Sequence, residues 1–258
     1  MKRYRLFEIE DYTWCPHSVR DGITDYLRIA IKLFGVYKSA PLLIKGLMDR
    51  SDYKTIINLC SGGGGGIETI ITGFERIGIK DLKIIQTDKF PNLSSFEYIE
   101  KKFKNNISFI PSPIEADNVP KELKGIRTIF SSFHHFEDSL AKSVLMDAIK
   151  NNSSIVIFEG ANRSVINIIG VFFTTIILML LLTPFIRPFK LSRIIFTYFI
   201  PLIPIIGIWD GMVSICRISK PDELLELTKC LENNSYKWES GNIRNGILTS
   251  VYLIGYPA

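Results

Sequence analysis

The sequence lacks the patterns that mark several classes of protein. Its four cysteines stand apart, with no CxxC pair and no spacing typical of zinc ligands, which indicates reduced thiols and no bound metal ion. Although the net charge is +5, Lys and Arg form no run of the kind that binds nucleic acid. The N-terminus has no apolar stretch of about 7–15 residues, which a secretory signal needs, so we expect synthesis in the cytoplasm.

Short apolar runs alternate with segments of helical spacing along most of the chain. Strands are predicted at 55–60, 83–87, 107–110, 126–131 and 154–158, and helices at 18–34, 39–49, 67–77, 94–104, 138–150 and 221–233. Two final strands, 236–241 and 246–255, flank a short connection with Asn and Gly, which indicates an antiparallel hairpin.

Short buried strands that alternate with helices form parallel sheets covered on both faces. The length of 258 residues suits one α/β domain with an elaboration. We therefore expect a doubly wound, Rossmann-like fold. Its sheet should be mostly parallel and seven-stranded, with an antiparallel C-terminal hairpin and an apolar helical insert.

Five consecutive glycines follow the first predicted strand and precede a helix. Backbone amides and the helix dipole gather at that end of a sheet, so we expect a bound ligand there, and an unliganded flexible loop is the alternative. The spacing matches neither G-x-G-x-x-G/A nor a P-loop, but it fits G-x-G-x-G at Gly62, Gly64 and Gly66. Asp88 ends the second strand, where a carboxylate can accept both hydroxyls of a ribose.

The segments IINLCSGGGGG, IIQTDKF, SPIEADNVP, IFSSFHHF and IVIFEG occur in the order found in class I S-adenosylmethionine-dependent methyltransferases. The chain resembles that family over about residues 53–160, and by topology in the C-terminal helix and hairpin. The resemblance implies S-adenosylmethionine as the cofactor. It assigns cofactor-binding roles to the following residues: Asn58, Ser61, Gly62, Gly64, Gly66, Asp88, Ile114, Glu115 and Ser131.

Within that assignment, Gly62 and Gly64 would lie against the methionine part of the cofactor and Asp88 would hold its ribose. Ile114 and Glu115 would flank the adenine. The family usually has an acid where this chain has Asn58 and a glycine where it has Cys60. Asn58 can still accept a hydrogen bond, but it supplies no charge.

His134 and His135 follow the fourth predicted strand and are the candidate catalytic residues. Histidine titrates near neutrality, so either side chain suits removal of a proton from the methyl acceptor. Packing or helix capping is the alternative role for His135. Methyl transfer to an already nucleophilic atom can also proceed by positioning alone.

Four further residues are candidates for the substrate side: Trp14, Arg20, Glu159 and Asp210. Trp14 and Arg20 belong to residues 1–52, which we expect to form a helical lid, and packing is the alternative role for Trp14. Glu159 ends the fifth strand and Asp210 ends the apolar insert, where a carboxylate can orient a polar group. Salt bridges with Arg163 or Arg217 are the structural alternative for both.

The apolar insert, predicted at 161–210, divides the core into 53–160 and 211–258. Residues 165–186 form a charge-free run long enough to span a membrane, and 194–209 form a second, shorter run. Basic residues flank the runs at both ends, which does not favour leaving one end across the membrane. A cap buried on the enzyme, a monotopic pair in one leaflet and a spanning hairpin remain open.

The sequence thus predicts methyl transfer from S-adenosylmethionine to a hydrophobic small-molecule or lipid-like acceptor. The alternative is a non-catalytic, membrane-associated protein that uses the fold for cofactor binding or scaffolding. We expect a cytoplasmic protein, peripheral or monotopic at the cytoplasmic face of a membrane if the insert meets lipid, with no nucleic-acid partner. Nothing in the sequence specifies the acceptor atom or an oligomeric state.

Overall fold

A computed structural model describes residues 1–51, 53–231 and 235–258. The strands are β1 (Thr55–Leu59), β2 (Lys83–Gln86), β3 (Ile107–Phe109), β4 (Ile126–Phe130), β5 (Ile155–Glu159), β6 (Tyr236–Asn245) and β7 (Leu248–Pro257). They form one seven-stranded sheet in the order β3-β2-β1-β4-β5-β7-β6. The first five strands pair in parallel, and β7 runs antiparallel to both β5 and β6. The predicted fold class is confirmed.

The helices are α1 (His17–Phe34), α2 (Ala40–Met48), α3 (Ile67–Arg76), α4 (Leu93–Lys102), α5 (Asp138–Lys150), α6 (Val165–Leu182), α7 (Leu191–Ile194), α8 (Leu202–Arg217) and α9 (Pro221–Thr228). Short 3-10 turns occur at Ile9–Asp11, Phe133–His135, Thr183–Phe185 and Lys229–Leu231. The predicted helix 221–233 is therefore shorter, and its last two residues, 232 and 233, lie outside the described residues. Strand β6 extends four residues beyond the predicted 236–241, because Asn242–Asn245 also pair with β7.

Each face of the sheet has its own hydrophobic core. On one face, Ile70 and Phe74 of α3 pack with Ile44 of α2. On the other face, Val144 and Leu145 of α5 pack beneath α9. The parallel strands are buried on both faces, as their continuous apolar runs predicted, so their carboxyl ends are the accessible edge of the sheet.

The insert is a group of helices that packs on α1. Met179 of α6 and Ile203 of α8 are fully buried against Ile23 of α1. Asp25 of α1 and Arg193 of α7 form an ion pair that is almost completely buried. The predicted boundary at residue 210 falls inside α8, because this helix runs unbroken from the insert to the core.

The outer face of the insert is apolar and exposed. Among the described residues, the helical segment Val165–Phe185 is long and apolar enough to cross a membrane, and only 11% of its 18-residue window is buried. The segments Leu191–Phe199 and Leu202–Arg217 meet the same criterion as a pair, but they are bent by 80°. The insert therefore combines an anchored inner face with an unpartnered outer one.

Candidate active site

The glycine loop joins β1 to α3 and packs closely beneath α1. Gly62, Gly64 and Gly66 have φ values of 51°, 81° and 86°, a left-handed conformation that favours glycine. At Gly63, a Cβ atom would lie 2.6 Å from the carbonyl oxygen of Thr24. Glycine is therefore needed here for two reasons, the path of the loop itself and the close approach of α1.

Asp88 lies at the end of β2 and faces this loop. Its Oδ2 accepts a hydrogen bond of 2.7 Å from the backbone amide of Gly62, and its Oδ1 accepts one of 2.7 Å from that of Phe90. Burial raises the pKa of Asp88, although these two hydrogen bonds oppose the change. Each carboxylate oxygen keeps a lone pair for a further donor, so the group suits ribose hydroxyls.

The residues predicted beside the adenine lie next to Asp88. The amide of Ile114 donates to the backbone oxygen of Asp88 at 2.9 Å, while Glu115 is exposed and pairs with Lys89 at 3.0 Å. The guanidinium of Arg20 lies 4.2 Å from the ring centre of Phe90. Arg20 is therefore on the side of Asp88, rather than on the predicted substrate side.

Asn58 has a role within the protein that the sequence did not predict. Its amide nitrogen donates to Ser61 Oγ at 2.6 Å, and its oxygen accepts from Thr128 Oγ1 at 2.9 Å. These bonds tie β1 to the glycine loop and to β4, so the buried side chain is already engaged. Cys60 has a φ of 53°, which explains why a glycine is usual at this place in the family that the sequence resembles.

A cavity of about 220 Å³ opens beside the carboxyl ends of β4 and β5, beneath α1 and the insert. Apolar side chains such as Ile23, Tyr26 and Met179 form most of its wall. Its polar residues include five that the sequence analysis had selected: Ser131, His134, His135, Glu159 and Asp210. Trp14 does not line this cavity, because its side chain is 65% exposed and stacks on Tyr12.

His134 and Glu159 form a buried pair at this polar end. The Nδ1 atom of His134 lies 2.7 Å from Oε2 of Glu159, whose other oxygen accepts from the backbone amide of His134 at 2.8 Å. A carboxylate at Nδ1 favours the tautomer with its proton there, which leaves a lone pair on Nε2. In the described part of the chain, this Nε2 has no hydrogen-bond partner.

The N-terminal strap, residues 4–12, closes over the two histidines. Glu8 is completely buried, with Oε1 3.1 Å from Arg217 Nη1 and 3.8 Å from His134 Nε2. Asp11 Oδ1 lies 2.6 Å from Nδ1 of His135. The strap thus brings carboxylates to the end of the cavity that the histidines form.

Asp210 holds the strap in place. Its two oxygens accept hydrogen bonds from the amides of Ile9 and Glu10, at 2.8 and 3.0 Å, where the first 3-10 turn begins. Neither suggested arginine pairing of Asp210 and Glu159 occurs. Arg217 pairs with Glu8 and Asp11 instead, and Arg163 pairs with Glu223.

This arrangement shifts the pKa of several groups. Burial raises the pKa of Glu10 to about 8 and that of Asp210 to about 6. Burial would lower the pKa of His135, but the carboxylates of Glu8, Asp11 and Glu10 outweigh it and raise the value to about 10. Burial also works to raise the pKa of Asp11, yet His135 and Arg217 lower it to about 2.

Sequence reasoning missed Glu10, Asp11 and Arg217 as site residues. They lie far from the glycine motif in the sequence. The strap brings Glu10 and Asp11 to His135, and the end of α8 brings Arg217 to the backbone of both histidines. The segment FEIED at 7–11 carried a signal, because it has three acids among five residues. Arg217 was named only as a structural partner.

The sheet order, the glycine loop after β1 and the acid after β2 define a class of protein. The chain has the fold of the class I S-adenosylmethionine-dependent methyltransferases. It is similar over 92% of its length to the plantazolicin methyltransferase BpumL in complex with SAH, of which 89% is covered, with a TM-score of 0.58 and 12% identity.

A second structure of BpumL, with SAH and a monoazolic desmethylPZN analog, has a TM-score of 0.56 at 12% identity and the same coverage of both chains. Human N-acetylserotonin methyltransferase in complex with SAM aligns over 90% of this chain and 56% of its own, with a TM-score of 0.51 and 10% identity. No protein-family model and no curated protein matches the sequence.

Proposed function

We propose that this protein is an S-adenosylmethionine-dependent methyltransferase that acts on a hydrophobic small molecule. The observation that carries the proposal is the presence of two features at one edge of the sheet. The glycine loop with Asp88 is suited to a nucleoside, and the apolar cavity at the carboxyl ends of β4 and β5 has His134 and Glu159 in its wall. Similar folds solved with SAH or SAM support the choice of cofactor.

Asp88 would hold the ribose, and the glycine loop would lie against the methionine part. Asn58 would contribute through the loop that it braces, since its own amide groups are engaged. When bound, S-adenosylmethionine supplies an electrophilic methyl group on a sulfonium. The apolar wall of the cavity would orient the acceptor and exclude water from the reacting atoms.

We place the nucleophilic atom of the acceptor at the polar end of the cavity, beside Nε2 of His134. Nε2 of His134 would accept the proton of an acceptor hydroxyl there, and the cofactor would supply the methyl group that replaces this proton on the oxygen. Glu159 would stabilise the orientation of His134 through Nδ1. This hydroxyl form of the acceptor agrees with the buried polar environment at that point.

The test is calorimetric titration of the full-length, detergent-solubilised protein with S-adenosylmethionine, S-adenosylhomocysteine and, as a control, NAD. Binding of the first two alone is expected. Asp88→Ala should weaken it about 100-fold, because two hydrogen bonds to a charged group contribute about 3 kcal/mol. Asp81→Ala is the matched control, since Asp81 is exposed and bonds only to Lys54 among the described residues.

No binding of either compound would contradict the proposal and favour a scaffolding role. Binding with an unchanged affinity in Asp88→Ala would contradict the assignment of β2. His134→Ala should leave cofactor affinity unchanged while lowering turnover of apolar phenols or alcohols, measured as transfer of a labelled methyl group. Equal turnover in the variant would remove His134 from the reaction.

We also propose that the outer face of the insert lies in one leaflet of a membrane. Large apolar side chains project from it, among them Ile166, Phe173, Leu181 and Phe185, which are 57–78% exposed. The exposed Arg187 between Phe185 and Phe189 suits an interface with anionic headgroups. The buried pairing of Arg193 with Asp25 keeps the inner face on the protein, which agrees with insertion without spanning.

Flotation with vesicles of phosphatidylcholine and phosphatidylglycerol tests this second proposal. The protein should float with the vesicles, and the double variant F173N/L181N should float much less. Leu42→Asn is the control, because Leu42 is 64% exposed on α2, outside the insert. Equal flotation of all three proteins, or none by the unmodified chain, would contradict the proposal.

A further inference from the structure

Glu8, His134 and His135 form a group with the composition of a metal site. One ligand atom from each residue lies within 4.8 Å of the others. The residues come from two segments, the N-terminal strap and the turn after β4. Their spacing in the sequence therefore does not indicate a metal site. Glu8 is completely buried and His134 is 6% exposed. The group therefore lies inside the protein rather than on its surface.

Two atoms of this group face each other without a hydrogen bond. Among the described residues, His134 Nε2 and Glu8 Oε1 have no such partner, and they lie 3.8 Å apart. Because Glu159 engages Nδ1 of His134, the neutral tautomer with its proton on Nδ1 has a lone pair on the atom directed at Glu8. Two buried acceptors in contact are costly unless a cation or a donor lies between them.

The nearby guanidinium fills this role for Glu8 but not for His134. Arg217 donates to the backbone oxygens of His134 and His135 and to Asp11, at 3.0, 2.6 and 2.7 Å. It also forms an ion pair with Glu8 Oε1 at 3.1 Å, whereas His134 Nε2 has no hydrogen-bond partner among the described residues. Within the described residues, Arg217 forms ion pairs with Glu8 and Asp11. Three further carboxylates lie around the histidines and the strap: Glu10 near His135, Glu159 on His134, and Asp210 on the amide of Ile9.

We propose that Glu8, His134 and His135 bind a divalent transition-metal ion of the zinc class. Two imidazoles and one carboxylate are a ligand set that such ions accept, with a fourth position left for water or substrate. Glu159 is placed as the outer partner that orients a metal-bound histidine. Asp11 lies against His135, and Asp210 holds the strap that carries Glu8, so two further carboxylates lie close to the ligands.

The fourth position would face the cavity, because both histidines line it. An oxygen of the acceptor bound there would have a lowered pKa and a defined orientation. This role rests on the proposed function, and it would make His134 a ligand of the ion rather than a free base. Binding of the ion itself does not depend on methyl transfer.

The experiment uses the full chain, stripped with a chelator and titrated calorimetrically with ZnCl2. One equivalent should bind with high affinity. Glu8→Gln and His134→Ala should lose this phase, and Glu159→Gln should weaken it about 10–100-fold. His17→Ala is the matched control and should bind Zn2+ like the unmodified chain. His17 is the remaining histidine of the sequence and lies at the start of α1, outside the proposed site.

Cobalt binding tests the kind of ligand in the unmodified chain, so the result does not depend on whether a variant folds. Co2+ bound to the unmodified chain should show the visible absorption of a low-symmetry site without a thiolate charge-transfer band. Such a band would place the ion at a cysteine and overturn the proposal. Absence of a tight Zn2+ phase in the unmodified chain would overturn it as well, and the cluster would then be a structural ion-pair network.

The titration with S-adenosylmethionine separates this proposal from the first one. Glu8→Gln should lose Zn2+ binding and keep cofactor binding, whereas Asp88→Ala should do the reverse. Retention of the high-affinity Zn2+ phase in both Glu8→Gln and His134→Ala would refute the site while leaving the proposed methyl transfer intact. Absence of cofactor binding in the unmodified chain would refute the proposed methyl transfer and leave the proposed metal site intact.

Discussion

The close packing of α1 on the glycine loop gives a sharp prediction for Gly63→Ala. A Cβ atom at Gly63 would lie 2.6 Å from the oxygen and 2.7 Å from the carbon of the Thr24 carbonyl. These are backbone atoms of a helix, so no side chain can rotate away. Unlike Gly62 and Gly64, Gly63 does not have a positive φ, and the added methyl group is therefore the whole perturbation.

Overpacking of this kind costs about 1–3 kcal/mol, and Ala recovers about 0.4–1 kcal/mol by restricting the unfolded chain. We expect Gly63→Ala to lower the free energy of unfolding by about 1–2 kcal/mol. Gly46→Ala is the matched control, since no atom lies within 4 Å of its Cβ position in α2. There the higher helix propensity of Ala should raise stability by about 1 kcal/mol.

Urea denaturation followed by circular dichroism measures both variants. Limited proteolysis adds a local readout, because displacement of α1 should expose the strap and speed cleavage within residues 1–34. If Gly63→Ala were as stable as the unmodified protein and equally resistant to protease, α1 would not pack on the loop as described. A loss of stability in Gly46→Ala as well would point to a general intolerance of substitution.

Three further predictions concern stability. In urea denaturation, Cys60→Gly should be more stable than Cys60→Ala by about 1 kcal/mol. The backbone φ of 53° at residue 60 strains every residue but glycine. Equal stability of the two variants would disprove that strain. Arg193→Met should lower the free energy of unfolding by about 3 kcal/mol. The reason is that the buried Asp25 would keep only Lys190 among its described ion-pair partners. A loss below about 1 kcal/mol would contradict this prediction. The pKa of Glu68 is lowered from 4.5, because the opposing effect of burial is outweighed by ion pairs with Lys102 and Lys32. The contribution of Glu68 to the stability of the fold is therefore complete above pH 4.5 and is lost as the pH falls below that value. The loss of stability in Glu68→Gln, measured by thermal unfolding at several pH values, should therefore shrink in acid, and a loss independent of pH would count against the ion pairs.

The composition of the insert predicts its helices but not their surroundings. Its apolar runs predicted helices, but they did not distinguish a buried cap from a membrane segment. The structure gives the insert a buried inner face and an exposed outer face, because Met179 and Ile203 pack on α1 while Phe173 and Leu181 face outward. The ion pair of Asp25 with Arg193 joins α1 to a helix of the insert, and such pairing over a long separation leaves no local pattern.

Local patterns in the sequence were enough to determine the parallel core, the hairpin, and the meeting of Gly62 with Asp88 at one edge of the sheet. This works because side-chain periodicity specifies each element, and parallel strands place their carboxyl ends together. Tertiary structure alone decided that Glu8 and Asp11 meet His134, His135 and Arg217. Some of these contacts join residues more than 200 positions apart, which meet where the strap docks on the turn after β4 and on the end of α8.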